Sequence, residues 1–401
     1  MKVLVVNCGS SSLKFRLIVT DTETVIAKGL FERIGSNGGH FIYSPANGEK
    51  QERDVDLPSH DEAVHILIDT LTDPEIGVIK SLDEIDAVGH RIVHGGDKFS
   101  HAAILTPDAI AAIEECAPLA PIHNPVNLMG IRACMKYMPN TTMVGAFDTS
   151  FHHTIPEEAY LYGIPYEYYR KDRIRRYGFH GMSHEYIAGE TAKLLNKDIK
   201  DTKIITCHLG NGASITAVNG GKSVDTSMGF TPLEGIIMGT RSGSIDPEII
   251  NVIAERENKS LKEVMNILNN KSGVYGLSDY LSADVRDLTA EYNKGNENAI
   301  RALSTYAYSI VKYIGAYTTV MNGADAITFT AGVGEHSFLV RKLVCDHLKF
   351  LGVKLDEKAN KEANGTALIS TPDSAIKVYV IPTDEEMSIA RQAVEAINAQ
   401  K

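Results

Sequence analysis

The 401-residue chain has only five cysteines, and none of them is paired by spacing. Cys8, Cys116, Cys134, Cys207 and Cys345 are scattered, odd in number and without a CxxC pair. That reads as reduced thiols in a cytoplasmic protein, not as a disulfide framework. No apolar run approaches the roughly 18 residues that a membrane span needs. Met1–Cys8 has the outline of a lipoprotein signal, but its apolar core falls short of the about 7–15 residues of such segments, so it reads as a buried strand. There is no basic excess either. A net charge of −11 argues against nucleic acid, whose phosphates need a basic surface. It leaves room for a small anion, because a few local arginines outweigh the global field. HExxH and GxGxxG are both absent. Gly220-Gly221-Lys222-Ser223 ends like a P-loop, but Thr216 stands where the first glycine belongs. Hydrophobic residues at 43% and charged residues at 23% are ordinary for a soluble globular protein, and the length calls for two domains.

What is present is a strand–turn–strand plan that occurs twice. Residues 3–6 and 13–20 read as strands around Asn7-Cys8-Gly9-Ser10-Ser11-Ser12, with a third near 25–31. About half a chain later, 203–207 and 215–218 flank His208-Leu209-Gly210-Asn211-Gly212-Ala213-Ser214. Val64, Leu67, Ile68 and Leu71 have helical spacing. Thr106-Pro107, Asn124-Pro125 and Asp246-Pro247 each put a capping residue before proline, and Ser260 with Glu263 forms a capping box. A long helix is expected from about 296 to 321. Strands at 142–147, 326–330 and 377–381 lead into Asp148, into Ala331-Gly332-Val333-Gly334-Glu335 and into a last helix opened by Asp384-Glu385-Glu386. Strand clusters followed by helices, twice over, give an α/β protein of two similar domains, the last helix returning to the first.

Glycine-rich turns after apolar strands, here at 8–12, 210–214 and 331–335, let backbone N–H groups converge on phosphate oxygens. They predict a nucleotide held between domains. Arg91 and Arg241 each lie near glycines, where a guanidinium fork suits a carboxylate or a phosphoryl group in transfer. A surface ion pair is the plain alternative for either. Both are expected in loops away from the core, so alanine there should spare the fold. Asp148 and Glu385 are candidate magnesium ligands, although Glu385 also suits a helix dipole. His180 and His184 have i,i+4 spacing, but Gly178 and Gly181 argue against a helix there and against zinc. A histidine can instead donate to a phosphoryl oxygen. The tyrosine- and arginine-rich segment 160–177 reads as a subunit interface or solvated face, ahead of a single-strand nucleic-acid platform.

Eight segments together resemble acetate kinases: Asn7–Lys14, His90–Gly96, Pro121–Pro125, Phe147–His152, Tyr177–Gly181, His208–Ser214, Met238–Gly243 and Pro382–Glu386. The resemblance runs from residue 1 to the C-terminal helix. It implies an actin-like, ribonuclease H-like fold with duplicated βββαβαβα-type domains around a nucleotide cleft, usually as a homodimer. It divides the chain into 1–150 plus 385–401 as an acyl and phosphate domain, and 151–384 as a nucleotide and dimerisation domain. It implies reversible transfer from ATP to acetate, giving ADP and acetyl phosphate, with magnesium, for which manganese substitutes. Asn7, Ser10, Ser12 and Lys14 would lie near the phosphates, with Asn7, Asp148 and Glu385 on the metal. Arg91 and Arg241 would hold the carboxylate and the phosphoryl group, and His180 would touch the latter. His123 would serve the acid; His208, Asn211 and Gly212 would line the phosphate path. Asp284, Arg286, Gly332 and Gly334 would form the adenosine pocket, and Val93, Ile122, Phe179 and Pro232 the methyl pocket.

Some positions depart from the family pattern. Cys8 stands for alanine, Met182 for threonine, Ser244 for aspartate, His336 for asparagine and Ile122 for leucine. Loss of the carboxylate at 244 is expected to loosen the loop of Arg241, and His336 to bear on nucleotide preference. A carboxylate is already nucleophilic at neutral pH, so the chemical demand is to neutralise and align two anions. Direct in-line transfer meets that demand; a phosphorylated Glu385 or His180 is the other route. Propionate or butyrate kinase activity is the nearest rival reading, since a methylene is worth only about 1–3 kcal/mol of discrimination. A chaperone-like ATPase would need a peptide-binding or polymerising element, and none is visible.

Overall fold

Both halves of the chain open as antiparallel meanders of β-branched residues. Lys2–Cys8 (β1), Ser12–Val19 (β2) and Thr24–Glu32 (β3) extend through His40–Pro45 (β4) and Gln51–Asp54 (β5). Ala87–Ile92 (β6), Ala103–Ile104 (β7) and Thr142–Phe147 (β8) complete a sheet of order β5-β4-β3-β2-β1-β6-β8-β7. The second sheet contains Lys203–Leu209 (β9), Ala213–Asn219 (β10), Lys222–Thr226 (β11), Ala326–Thr330 (β12), Ala367–Leu368 (β13) and Lys377–Val380 (β14). Its order is β11-β10-β9-β12-β14-β13. In each, a meander joins two further strands parallel to its first: β3-β2-β1-β6-β8 and β11-β10-β9-β12-β14. The duplicated plan read from the sequence is therefore present, with β4, β5, β7 and β13 added at sheet edges. The computed structural model describes residues 1–400. They form two units, one of Met1–Phe151 with the segment from Asp384 onward, the other of His152–Thr383.

In the first unit, strand alternation assigns side chains to two covered faces. Leu4, Val6, Leu13, Phe15, Val88 and Ile92 join a core with Val64 and Leu67 of the His60–Thr72 helix and Leu128 and Ile131 of the Asn124–Tyr137 helix. The opposite face is covered by the C-terminal helix, Glu385–Asn398. It approaches so closely at Gly89 that a Cβ there would lie 2.8 Å from the Ile389 side chain. Arg91 shares this second face with Gly89.

In the second unit, the long helix Glu297–Val320 packs on β9 and β10 through residues at helical spacing, among them Leu303, Tyr306 and Ile310. The Gly181–Leu194 helix covers the other face of β9. That face is polar: the registers align Thr226, Thr216, Thr206 and Thr328 across four strands. All four are fully buried. Their hydroxyls are satisfied by one another or by the helix, as at Thr216–Thr226 and Thr328–Thr191, both 2.8 Å.

Several local readings need correction. Segment 331–335 is no open turn: Ala331 takes φ +63° and starts a short helix, Ala331–His336. Asn124 lies inside its helix, with His123 at the cap position. Its amide turns instead to the His94 backbone, accepting from the N–H at 3.1 Å and donating to the carbonyl at 2.9 Å. Gly181 does not break a helix but begins one, with His180 as its N-cap. Gly220 and Gly221, at φ +58° and +77°, form the β10–β11 hairpin turn, which needs two left-handed residues.

Candidate active site

In the first unit, three parallel strands end together. Parallel pairing sets Val5 beside Gly89 and Arg91 beside Ala146, so the same face carries Asn7 and Arg91 near the ends of their strands and Asp148 just past β8. The covering helix begins there with Glu385. Arg91 lies within β6, not in a loop. It donates a fork to Asp148, Nε to Oδ1 at 3.0 Å and Nη2 to Oδ2 at 2.8 Å. Its Nη1 is 3.9 Å from the Glu385 carboxylate. Asp148 is 3% exposed and Arg91 22%.

The helix start is held by a second charge group. Glu386, 6% exposed, pairs with Lys14 and with Arg16 at 3.4 Å, while Arg16 donates to Asp384 at 2.8 Å. The Lys14 amine, expected at the phosphates, is thus engaged by Glu386. Two carboxylates, Asp148 and Glu385, face a single guanidinium. Burial pushes the Glu385 carboxyl above the usual range against the pull of Arg91, and Asp148 and Glu386 push the same way. This surplus of negative charge fits a divalent cation. Magnesium takes one or two protein carboxylates and keeps several waters, a demand that Asp148 and Glu385 with Asn7 meet. Among the described residues no cluster of three or more His, Cys, Asp or Glu forms a larger metal site.

Asn127 is a functional-looking residue that the sequence reading missed. Its Oδ1 accepts the Val93 N–H at 3.2 Å, and its Nδ2 donates to the Cys8 carbonyl at 3.0 Å. It thereby ties the end of β1 to the residue after the Arg91 strand. Cys8 itself packs on Gly130, where a Cβ would lie 2.3 Å from its Sγ. Ser10 is exposed and Ser12 half-buried, in a turn closed by the Gly9 N–H donating to the Ser12 carbonyl at 2.8 Å. Val93 is half-buried, His123 exposed, and Ile122 is 68% exposed.

In the second unit, His180 has φ +58°, a left-handed conformation uncommon for a side-chain-bearing residue. Its ring stacks on His208 with centroids 4.2 Å apart. Gly212 is where His180 and Arg241 converge: a Cβ there would lie 3.3 Å from Arg241 Nη1 and 3.7 Å from His180 Nε2. Arg241 donates from Nη1 to the Pro232 carbonyl at 3.3 Å. No carboxylate pairs with it among the described residues, and burial lowers its pKa. Phe179 is buried, its carbonyl 2.9 Å from His152 Nε2. In the Arg241 loop, Ser244 makes contacts of its own. The Ser244 Oγ accepts the Gly235 N–H at 3.1 Å and lies 3.2 Å from the Tyr313 hydroxyl.

Beside this cluster lies a cavity of about 580 Å³, lined by Asn211, Asp284, Arg286, Tyr306, Gly332 and His336, among others. The volume falls within the range of about 300–1,000 Å³ for small-molecule sites. Asp284 caps the Val285–Asn293 helix by accepting the Arg286 N–H at 2.8 Å, and the Arg286 guanidinium folds back onto it at 2.6 Å. Gly334 does not line the cavity. It lies against the Phe329 backbone, 3.3 Å from where its Cβ would be, and its carbonyl accepts from Arg341.

Residues 2–391 match the model of the acetokinase family. An acetate kinase of Agathobacter rectalis is 55% identical over 398 residues, which are 99% of this chain and 100% of that protein. The solved structure of Porphyromonas gingivalis acetate kinase superposes with a TM-score of 0.94 at 45% identity, covering 99% of both chains. A propionate kinase structure from Francisella tularensis gives a TM-score of 0.90 at 38% identity, over 98% of each chain.

Proposed function

The chain belongs to the acetokinase family, and from that premise we propose that it transfers the γ-phosphoryl group of ATP, reversibly, to the carboxylate of acetate. The observation that carries this reading is Arg241. It is a partly buried guanidinium without a carboxylate partner, converging with His180 on the bare backbone of Gly212 beside a nucleoside-sized cavity. A cation so placed needs an anion, and a phosphoryl group in transfer supplies one.

In the reaction, an acetate oxygen attacks Pγ, the new O–P bond forms, and the bond from Pγ to the β,γ-bridging oxygen breaks to release ADP. The acetate needs no deprotonation. Arg241 and His180 donate to the equatorial oxygens, and fixed donors of this kind cost no reorganisation in the transition state. Arg91 orients Asp148 and Glu385 and offers its remaining Nη1 to an anion. Asn211, Asp284, Arg286 and Gly332 hold the nucleoside; on the first unit, Val93 is the residue proposed to limit the acid's chain, with His123 near the acid. Ser10 and Ser12 offer hydroxyls to the phosphates. Magnesium on Asn7, Asp148 and Glu385 would neutralise phosphate charge when bound.

We assign the chain to the cytoplasm, supported by five free cysteines, and to a homodimer. The dimer is supported by the Glu248–Glu257 helix, which carries Ile249, Ile250, Val252 and Ile253 but buries none of its residues; light scattering tests it. A hydroxamate assay with acetate, propionate and butyrate tests the activity. Acetyl hydroxamate should form with ATP and a divalent cation, and R241A should abolish it. A preference for propionate would favour the second reading, which the 38% identical propionate kinase supports.

A further inference from the structure

The helix over β9 and the strands beneath it share a buried polar seam of which the steps above use only His180. His180, Ser183, His184 and Thr191 recur at helical spacing on the Gly181–Leu194 helix and its cap. They meet Thr206, His208 and Ser214, which alternate on the facing strands. Within this seam one unbroken chain leads to His180. His180 Nδ1 lies 2.8 Å from Ser214 Oγ, Ser214 Oγ 2.7 Å from His184 Nε2, and His184 Nδ1 2.6 Å from Thr206 Oγ1. Ser214, His184 and Thr206 are fully buried.

Each of the three contacts needs one proton. A neutral imidazole carries one N–H, and each hydroxyl one O–H. Burial, with His152 and His208 nearby, holds His184 neutral. The chain therefore has two directions. If Thr206 donates inward, then His184 donates from Nε2, Ser214 donates to His180 Nδ1, and neutral His180 keeps its proton on Nε2. If the chain runs outward, His180 donates from Nδ1 and its Nε2 is a bare acceptor. In that case the Thr206 hydroxyl must end on the Thr216 carbonyl at 3.5 Å, well beyond the usual 2.5–3.0 Å of such bonds. The inward direction has the better final contact.

We propose that Thr206, His184 and Ser214 are positioning residues that hold His180 as the Nε2–H tautomer, so that its N–H points to the phosphoryl group beside Gly212 and Arg241. An outward chain would present a lone pair to an anionic oxygen and repel it. The proposal rests on the reading that His180 contacts that group, and it adds the residues that make the ring a donor. None of the three is assigned a contact with acid or nucleotide, so their effect should fall on turnover and not on binding.

The test uses the full-length enzyme labelled with ¹⁵N-histidine, with the His180 signals identified from H180N. In the wild type at about pH 7, His180 should be the Nε2–H tautomer. T206V removes the inward donor with little change of shape. It should let the Nδ1–H tautomer appear and lower kcat about two- to tenfold, the worth of one net hydrogen bond, with both KM values retained. T206S should restore tautomer and kcat. S214A should shift the Nδ1 signal to that of an unbonded nitrogen and lower kcat further. T206V added to S214A should then cost nothing more, because both cut one chain; S214A carries the test alone if T206V does not fold. An unchanged His180 tautomer in T206V, or additive losses in the double variant, would overturn the relay. A shifted tautomer with unchanged kcat would instead remove His180 from the chemistry, and the positioning role with it.

Discussion

Replacing Arg91 with alanine should damage the fold as well as the reaction. Arg91 is the fork partner of Asp148, which is 3% exposed, and lies 3.9 Å from Glu385. Removing one member of a buried pair leaves an uncompensated charge and costs about 3–5 kcal/mol. At about 2–4 °C per kcal/mol for a domain of this size, that is a loss of about 6–20 °C in Tm with the metal chelated. Adding D148N, which keeps the shape and removes the charge, should recover most of the loss at neutral pH. Magnesium should recover part of it in R91A by supplying positive charge. The assay is differential scanning fluorimetry of R91A, D148N and R91A/D148N at neutral pH, with chelator or magnesium. An R91A variant within about 2 °C of wild type, or a double variant no more stable than R91A, would refute the reasoning and make the pair a near-neutral surface contact.

Other consequences follow from the same geometry. E385Q should raise Tm in chelator above the raised folded pKa of Glu385, a gain that vanishes as pH falls below the unfolded value; it should also raise the magnesium concentration for half-maximal rate, and an unchanged magnesium titration would separate Glu385 from the metal. G212A should place a methyl group 3.3 Å from Arg241 and 3.7 Å from His180, lowering kcat at least about tenfold, the smaller part of a lost charge-assisted donor, with an unchanged circular dichroism spectrum; near-normal turnover would show that those side chains move freely. V93A should raise kcat/KM for propionate and butyrate relative to acetate severalfold, since each buried methylene is worth about 0.8 kcal/mol; an equal loss for every acid would make Val93 a structural residue.

Much of the architecture was legible because it rests on local signals. Apolar runs bounded by glycine gave most of the strands that carry the motifs, and Thr106 and the Ser260–Glu263 box gave helix starts that the structure repeats. What failed was local chemistry overridden by tertiary demand. Gly332 and Gly334 read as a turn, yet they sit in a short helix whose Gly334 and Glu335 carbonyls are held by buried Arg341. Gly181 read as a helix breaker, but the break falls on His180 itself, which takes the left-handed conformation ahead of the helix. The threonine row escaped notice because no two of its four members lie in the same strand. Only the register brings the four side by side, and a one-letter alternation of threonine was the available signal.

The two arginines show why a site cannot be read from residue type alone. By sequence they are equivalent, each a guanidinium near glycines. Arg91 spends Nε and Nη2 on Asp148, so its charge is largely answered within its own unit and one edge remains for a ligand. Arg241 engages only Nη1, with the neutral Pro232 carbonyl and the Met238 thioether, and burial makes its charge costly. Coulomb attraction at a partly desolvated cation exceeds that in water several-fold, so an incoming anion gains more at Arg241 than at Arg91. The division of labour follows from this difference. In the proposed reaction Arg241 would receive the transferring charge, while Arg91 is first a brace between buried Asp148 and half-buried Glu385.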